Sequence, residues 1–335
     1  MKFLQDLPSV EKKRLLVRVD FDVPIENGKV LDETRIKTSL PSIRFLLDRG
    51  AKITLLAHLG RPKGEDQNFS LRLLLPVLER LLSQKVNFFE EFKNAPLETL
   101  NLLENLRFWP GEEANDEDFV NKLTTLGDFY VNDAFAVCHR SHASIVGIPQ
   151  RLPSFAGEHL EKEVKELTRV LKEPSRPLVA IIGGAKLETK LPSIFNLATV
   201  ADKVLVGGKL MFETKRGALP ENVIVAHDDI DTKDIGPLSI GLFRELIKPA
   251  KTVIWNGPMG MFEDDKYMKG TREIAVSVVE SGAYSVVGGG DTISALNRLN
   301  LLNKITFVST GGGAMLEFLA GKELPGLVAL ERASQ

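Results

Sequence analysis

Leu178-Val179-Ala180-Ile181-Ile182-Gly183-Gly184-Ala185-Lys186 is an apolar run that breaks abruptly into glycine. A short run of this kind, rich in branched side chains and bounded by glycine, reads as a strand buried on both faces, the kind found in parallel sheets. Glycine at its carboxyl end lets backbone N–H groups approach an anion at the start of the next helix. The same punctuation recurs downstream. Strand-like runs 203–206, 252–255, 284–287 and 304–308 lead into Gly207-Gly208-Lys209, Asn256-Gly257-Pro258, Gly288-Gly289-Gly290-Asp291-Thr292 and Ser309-Thr310-Gly311-Gly312-Gly313. A single glycine pair is as well explained by a tight turn. The two triple-glycine loops favour phosphate, and the oxygen ligand Asp291 beside one of them suits Mg²⁺.

Upstream the rhythm is the same but the strand ends differ. Runs 14–20, 52–58, 100–103 and 128–132 alternate with helical stretches 39–48, 71–82 and 116–125, and 271–279 continues the pattern in the second half. Here basic side chains follow the strands: His58-Leu59-Gly60-Arg61, Arg107 and His139-Arg140, with Arg35 in the connection after a first strand that ends Asp20-Phe21-Asp22. In open α/β sheets ligands sit beyond the carboxyl ends of the strands. One arginine there is most simply a solvated surface group. Recurrence at successive strand ends points to a crevice for a small, highly charged anion, because the guanidinium fork fits carboxylate and phosphate oxygens.

The helical stretch 158–171 is stopped by Glu173-Pro174-Ser175-Arg176-Pro177. The boundary between two domains is read at this connection, residues 1–165 forming one and 166–315 the other. A chain of 335 residues exceeds one comfortable core, in keeping with two. A net charge of −2 gives no global field for nucleic acid or a membrane surface. The single cysteine, Cys138, excludes an internal disulfide and reads as a buried, inert thiol. Without a signal peptide or a membrane-length apolar run, the expectation is a cytoplasmic protein. Neither G-x-x-x-x-G-K-[ST] nor G-x-G-x-x-G occurs, which argues against a P-loop enzyme and a dinucleotide dehydrogenase.

Nine strings in order, VRVDFDVP (17–24), HLGRPKG (58–64), LLENLRF (102–108), VNDAF (131–135), HRSHAS (139–144), IIGGAKLETK (181–190), WNGPMGMFE (255–263), VVGGGDT (286–292) and STGGGAMLEFLAGKELPG (309–326), resemble the phosphoglycerate kinase family across nearly the whole chain. The resemblance implies two Rossmann-like parallel-sheet α/β domains joined by a long helix, with a cleft between them, and a C-terminal tail, 316–335, packing back on the first. It implies reversible phosphoryl transfer between 1,3-bisphosphoglycerate and ADP, giving 3-phosphoglycerate and ATP with Mg²⁺, by a monomer that closes about a hinge. Substrate-binding positions would be Asp20, Phe21, Asp22, Arg35, His58, Leu59, Gly60, Arg61, Arg107 and Arg140. Nucleotide positions would be Lys186, Lys190, Glu263, Gly289, Gly290, Asp291 and Thr292, with Glu263 on the ribose. Arg35, Lys186, Gly290 and Gly313 would face the transferring phosphoryl group.

The sequence departs from the family pattern in three places. Asp22 replaces the usual Asn and brings a carboxylate to an anion site. Lys209 replaces a glycine beside the nucleotide, where it would crowd the base or add a phosphate contact. The segment between Phe212 and Asp234 is much shorter than usual, which predicts a shallow base pocket and poor discrimination between adenine and guanine. An active kinase with a trimmed nucleotide domain is favoured by the retained Lys186, Lys190, Glu263, Asp291 and Thr292. The alternative is a descendant that binds without efficient turnover.

Overall fold

The computed structural model describes all residues except 93–97, 186, 215–218 and 335. It divides into two compact units, Met1–Lys162 with Glu323–Gln335, and Glu163–Lys322.

In the first unit the strands are β1 Arg14–Arg18, β4 Lys52–Leu56, β5 Asn87–Phe89, β6 Leu100–Leu103, β7 Phe129–Asn132 and β8 Ser154–Ala156, with a small hairpin, β2 Ile25–Glu26 and β3 Lys29–Val30, after β1. The sheet is wholly parallel in the order β5-β6-β4-β1-β7-β8. Its helices are α1 Thr34–Leu47, α2 Leu75–Leu82, α3 Pro110–Ala114, α4 Glu117–Thr124 and, from the far end of the chain, α12 Pro325–Arg332. Leu15, Val17, Ile36, Ile43, Ile53 and Leu102 are buried in its core.

Helix α5, Glu158–Lys172, carries the chain into the second unit. Its first turn is capped from the first unit: the Asp133 carboxylate accepts the N–H of His159 and of Leu160. Burial pushes the Asp133 carboxyl up to about 7. The second unit holds β9 Leu178–Ile182, β10 Lys203–Val206, β11 Val223–Val225, β14 Thr252–Asn256, β15 Tyr284–Gly288 and β16 Phe307–Ser309, and a hairpin of β12 Asp229–Ile230 and β13 Asp234–Ile235. The parallel order β11-β10-β9-β14-β15-β16 is the doubly wound 3-2-1-4-5-6 arrangement, which places a crevice where the order reverses, between β9 and β14. The helices are α6 Leu187–Val200, α7 Leu210–Thr214, α8 Pro237–Ile247, α9 Lys269–Glu280, α10 Gly290–Arg298 and α11 Gly313–Leu319. A separate core forms around Ile181, Leu205, Trp255, Phe243 and Val287.

Several expectations shift in detail. The first strand ends at Arg18, because Asp20 accepts the N–H of Asp22 and turns the chain away. Helix α1 begins five residues earlier than 39, at Thr34, whose N–H is held by Asp32, and so Arg35 lies in a first helical turn instead of a loop. Residues 316–319 belong to α11, tied to α6 by Ser193 and Asn196, and the first unit resumes only at Glu323. The short Phe212–Asp234 segment still supplies an edge strand, β11.

Candidate active site

In the first unit the basic groups surround one buried imidazole. Arg18, almost fully buried, donates from Nε to Ser144 Oγ (2.9 Å), from one terminal nitrogen to Val19 O (2.6 Å), and from the other to His58 Nδ1 (3.2 Å). A guanidinium can only donate, so Nδ1 accepts and the neutral ring carries its proton on Nε2. Burial, then the charges of Arg18, Arg107, Arg35 and Arg140, hold His58 well below its usual range. These four guanidiniums thus lie near enough to bear on one ring. Arg61 is exposed at the end of the His58–Gly60 turn and has no ion pair among the described residues.

The turns between strands aim these groups. Gly60 is left-handed (φ 63°), and the Phe69 ring fills the place a Cβ would take, 2.2 Å away, so only glycine fits. Asn105 caps the turn bearing Arg107 and donates to Leu59 O (2.8 Å) and Phe69 O (2.9 Å), while Arg107 donates to Gly60 O (2.5 Å). The LLENLRF string is thus a clamp on the His58–Gly60 turn. Arg35 pairs with the buried Asp20 at 2.8 Å. Burial raises the Asp20 carboxyl, and Arg35 opposes that shift. Asp22 accepts the Gly60 N–H (2.8 Å) and stands 3.7 Å from His58 Nε2. Phe21 and Leu59 are buried in the core, leaving only their backbones for a ligand.

Sequence reasoning passed over Glu112, His142 and Ser144, and weighed Arg18 only as a neighbour that could pair with Asp22. Ser144 holds Glu112 through Oγ (2.5 Å) and N (2.9 Å) while receiving Arg18, so the buried acid and the buried base meet through one hydroxyl. Burial, with Arg107 and Arg18 nearby, presses His142 down to about 3. An arginine inside an otherwise apolar strand was the available signal, since a buried charge demands partners. Cys138 is fully buried against Gly326 of the α12 turn, as expected of an inert thiol.

The second unit gathers its site around Lys190, on α6. The Lys190 ammonium, nine-tenths buried, donates to Gly183 O at the end of β9 and to Asn256 O (3.3 Å) at the end of β14. Burial lowers it to about 8, with Asp291 opposing. Gly257 (φ 97°) packs so tightly that an added Cβ would lie 2.1 Å from Gly183 O and 2.4 Å from Lys190 Nζ. Thr292 is fully buried and its hydroxyl accepts the Gly257 N–H (2.7 Å), so it ties the loops together. Gly289 (φ 93°) caps α10, and Gly290 opens into free space, as a helix start that receives an anion requires. Gly313 is exposed at the start of α11. Buried Asn256, whose Nδ2 lacks a partner beside Gly289, is another residue the sequence reading missed. A cavity of about 430 Å³ is lined by Gly184, Lys209, Lys233, Met261, Glu263 and Asp291. Lys186 lies outside the described residues.

The family model described as phosphoglycerate kinase matches residues 4–218 and 213–322. The chain belongs to the phosphoglycerate kinase family. A phosphoglycerate kinase of Rubrobacter xylanophilus is 43% identical over 373 aligned residues, covering 95% of each chain, and one of Finegoldia magna is 40% identical over 391, covering 98% of this chain and 99% of its own. Both alignments are longer than the chain itself, so these relatives carry residues that it lacks, and the family match breaks at 213–218. The solved phosphoglycerate kinase of Coxiella burnetii superimposes with a TM-score of 0.86 at 32% identity, covering 99% of each chain, and that of Pyrococcus horikoshii with 0.87 at 31%, covering 100% of this chain and 99% of its own. Phosphoglycerate kinases are phosphotransferases of glycolysis that move a phosphoryl group reversibly between 1,3-bisphosphoglycerate and ADP, and this chain is one of them. No helix among the described residues is long and apolar enough to cross a membrane.

Proposed function

We propose that the first unit binds 3-phosphoglycerate through Arg35, Arg107, Arg140, Arg61 and the neutral His58 ring, and that the second binds ADP or ATP over Lys190, the Gly289–Asp291 turn and Glu263. The observation that carries this reading is the set of guanidiniums around one buried imidazole, at the carboxyl ends of parallel strands. Phosphoryl transfer asks little covalent chemistry of the protein. It asks for in-line positioning and for positive charge where the equatorial oxygens develop theirs. Arg35 and the amides at Gly290 and Gly313 would supply that charge, and the family resemblance adds Lys186, which lies outside the described residues.

Mg²⁺ fits this site as a partner of the nucleotide. No group of three His, Cys, Asp or Glu side chains that could hold a metal exists among the described residues, but one carboxylate suffices for an ion that takes most of its ligands from phosphate and water. Asp291, exposed in the first turn of α10, would be that carboxylate. The ion would neutralise phosphate charge. Donor and acceptor, held on different units, would meet when the units close about the α5 connection, keeping water from the acyl phosphate. The enzyme would act as a cytoplasmic monomer.

The glycerate site is tested by calorimetric titration with 3-phosphoglycerate. Asp22→Asn keeps an oxygen for the Gly60 N–H but removes a negative charge from the site. Its side chain is 39% exposed, so the gain is limited to about 1 kcal/mol, roughly a fivefold tighter complex. Equal or weaker binding by the variant would contradict this placement of the substrate.

A further inference from the structure

Arg18 takes part in the basic cluster of the first unit without reaching its surface. It is 1% exposed, and its three guanidinium nitrogens already donate within the protein, to Ser144 Oγ, Val19 O and His58 Nδ1. So enclosed a group does not meet an anion directly. What it holds is the imidazole. The bond it gives to Nδ1 keeps the ring's proton on Nε2, the nitrogen that stands 3.7 Å from the partly exposed Asp22 carboxylate.

Arg18 rests in turn on Ser144. A hydroxyl has one proton, and Ser144 gives its own to Glu112 Oε1 (2.5 Å), which leaves Oγ to accept from Arg18 Nε (2.9 Å). The other polar atoms of Ser144 are pinned as well. Its N–H donates to Glu112 Oε2 (2.9 Å), and its carbonyl accepts the Tyr130 hydroxyl (2.5 Å). Ser144, Glu112 and Tyr130 are all fully buried. Burial raises the Glu112 carboxyl, while Arg18 and then the two bonds from Ser144 oppose that shift. His142 Nδ1 lies 3.8 Å from Glu112 Oε1, but burial and the surrounding arginines keep that ring neutral, so the charge that answers this carboxylate comes chiefly from Arg18. The Ser144 hydroxyl is therefore the spacer between a buried anion and a buried cation. The same residue anchors the chain four positions beyond Arg140.

We propose, resting on the glycerate reading above, that Ser144 is a positioning residue of the glycerate site: with Glu112 behind it, its hydroxyl holds Arg18 where Arg18 fixes the His58 ring for the substrate. Without that hydroxyl, nothing separates the guanidinium from the carboxylate. Their attraction in a water-free interior draws Arg18 toward Glu112 and away from His58 Nδ1. The ring then loses the bond that sets its orientation. A donor that must be in place before the substrate arrives is felt in affinity, so the loss falls on binding more than on turnover.

The test is calorimetric titration with 3-phosphoglycerate of the wild type, Ser144→Ala, His58→Ala and the double variant, together with ¹⁵N NMR of the His58 ring in histidine-labelled, substrate-free protein. Ser144→Ala is expected to bind about fivefold to tenfold more weakly, as loss of a hydrogen bond to a charged group implies, with little change in turnover number. That loss should vanish where His58 is already absent, because the two residues act in series. The Nδ1 resonance of His58 should move toward that of an imidazole nitrogen accepting no bond. Ser144→Cys keeps the shape but offers only a weak donor and acceptor, and it should shift both readouts in the same direction if the alanine variant folds poorly. An unmoved Nδ1 resonance, an unchanged affinity, or a loss as large without His58 as with it overturns the inference. If His58→Ala itself binds as the wild type does, the placement of the substrate on His58 falls instead, and the resonance alone decides whether Ser144 holds the ring.

Discussion

Arg35→Ala is expected to lower the turnover number about 10²- to 10³-fold, the effect of removing one preorganised charge from a phosphoryl-transfer site. The Michaelis constant for 3-phosphoglycerate should change much less, because a contact that strengthens as charge moves acts on the transition state more than on the bound substrate. Geometry gives Arg35 that opportunity. It stands in the first turn of α1, one terminal nitrogen pairs with Asp20, and its side chain remains 30% exposed, so it is not wholly consumed by that pair. Removing it also leaves Asp20 buried without its cation, and a carboxyl already raised by burial would then take up a proton. Arg35→Ala with Asp20→Asn separates the two effects: stability should return and turnover should not. An unchanged turnover number in Arg35→Ala would remove Arg35 from the chemistry.

Lys190→Met should lower kcat/KM for the nucleotide by about 10²-fold and alter its pH dependence. The ammonium bridges the carbonyl ends of β9 and β14, the two strands between which the order of the sheet reverses. Methionine keeps the apolar stem but leaves those buried carbonyls without a donor and the phosphates without a cation. The charge on Lys190 is present below about pH 8 and lost above it, so wild-type kcat/KM should fall as pH rises through 8. The variant should lack that limb. Stability moves the other way. The folded state binds this proton less tightly than the unfolded chain, whose lysine titrates near 10.5, so stability contributed by this group rises between about 8 and 10.5. A profile with the same limb in the variant would assign the titration to another group.

What the residues disclosed, and what they concealed, follows from burial. The interior strands were legible because both faces are buried, as at Leu178–Ile182, where every side chain is apolar. The edge strands Asn87–Phe89, Ser154–Ala156 and Val223–Val225 were not, since three residues carry too little pattern, whereas the equally short edge strand Phe307–Ser309 was betrayed by the glycine run that follows it. The starts of α6 and α10 were signalled by the glycine loops before them, but the extent of α6 was obscured by Pro192 within it. Among the candidate groups, those that follow strands were readable, for the carboxyl ends of the strands of a parallel sheet share one edge. The buried supports were not. Arg18, Ser144 and Glu112 lie far apart in sequence and are joined only by packing, and Asp133 reveals its role only where the first turn of α5 meets it.

The central claim is that this chain, despite the break in its family match at 213–218, turns over its substrates. The most direct measurement is ATP formation from 1,3-bisphosphoglycerate and ADP with Mg²⁺, followed by a coupled assay on the purified full-length chain. Robust turnover, saturable in both substrates and reduced about 10²-fold or more by Arg35→Ala, is the predicted result. No turnover above background, by folded protein that still binds 3-phosphoglycerate, would contradict it.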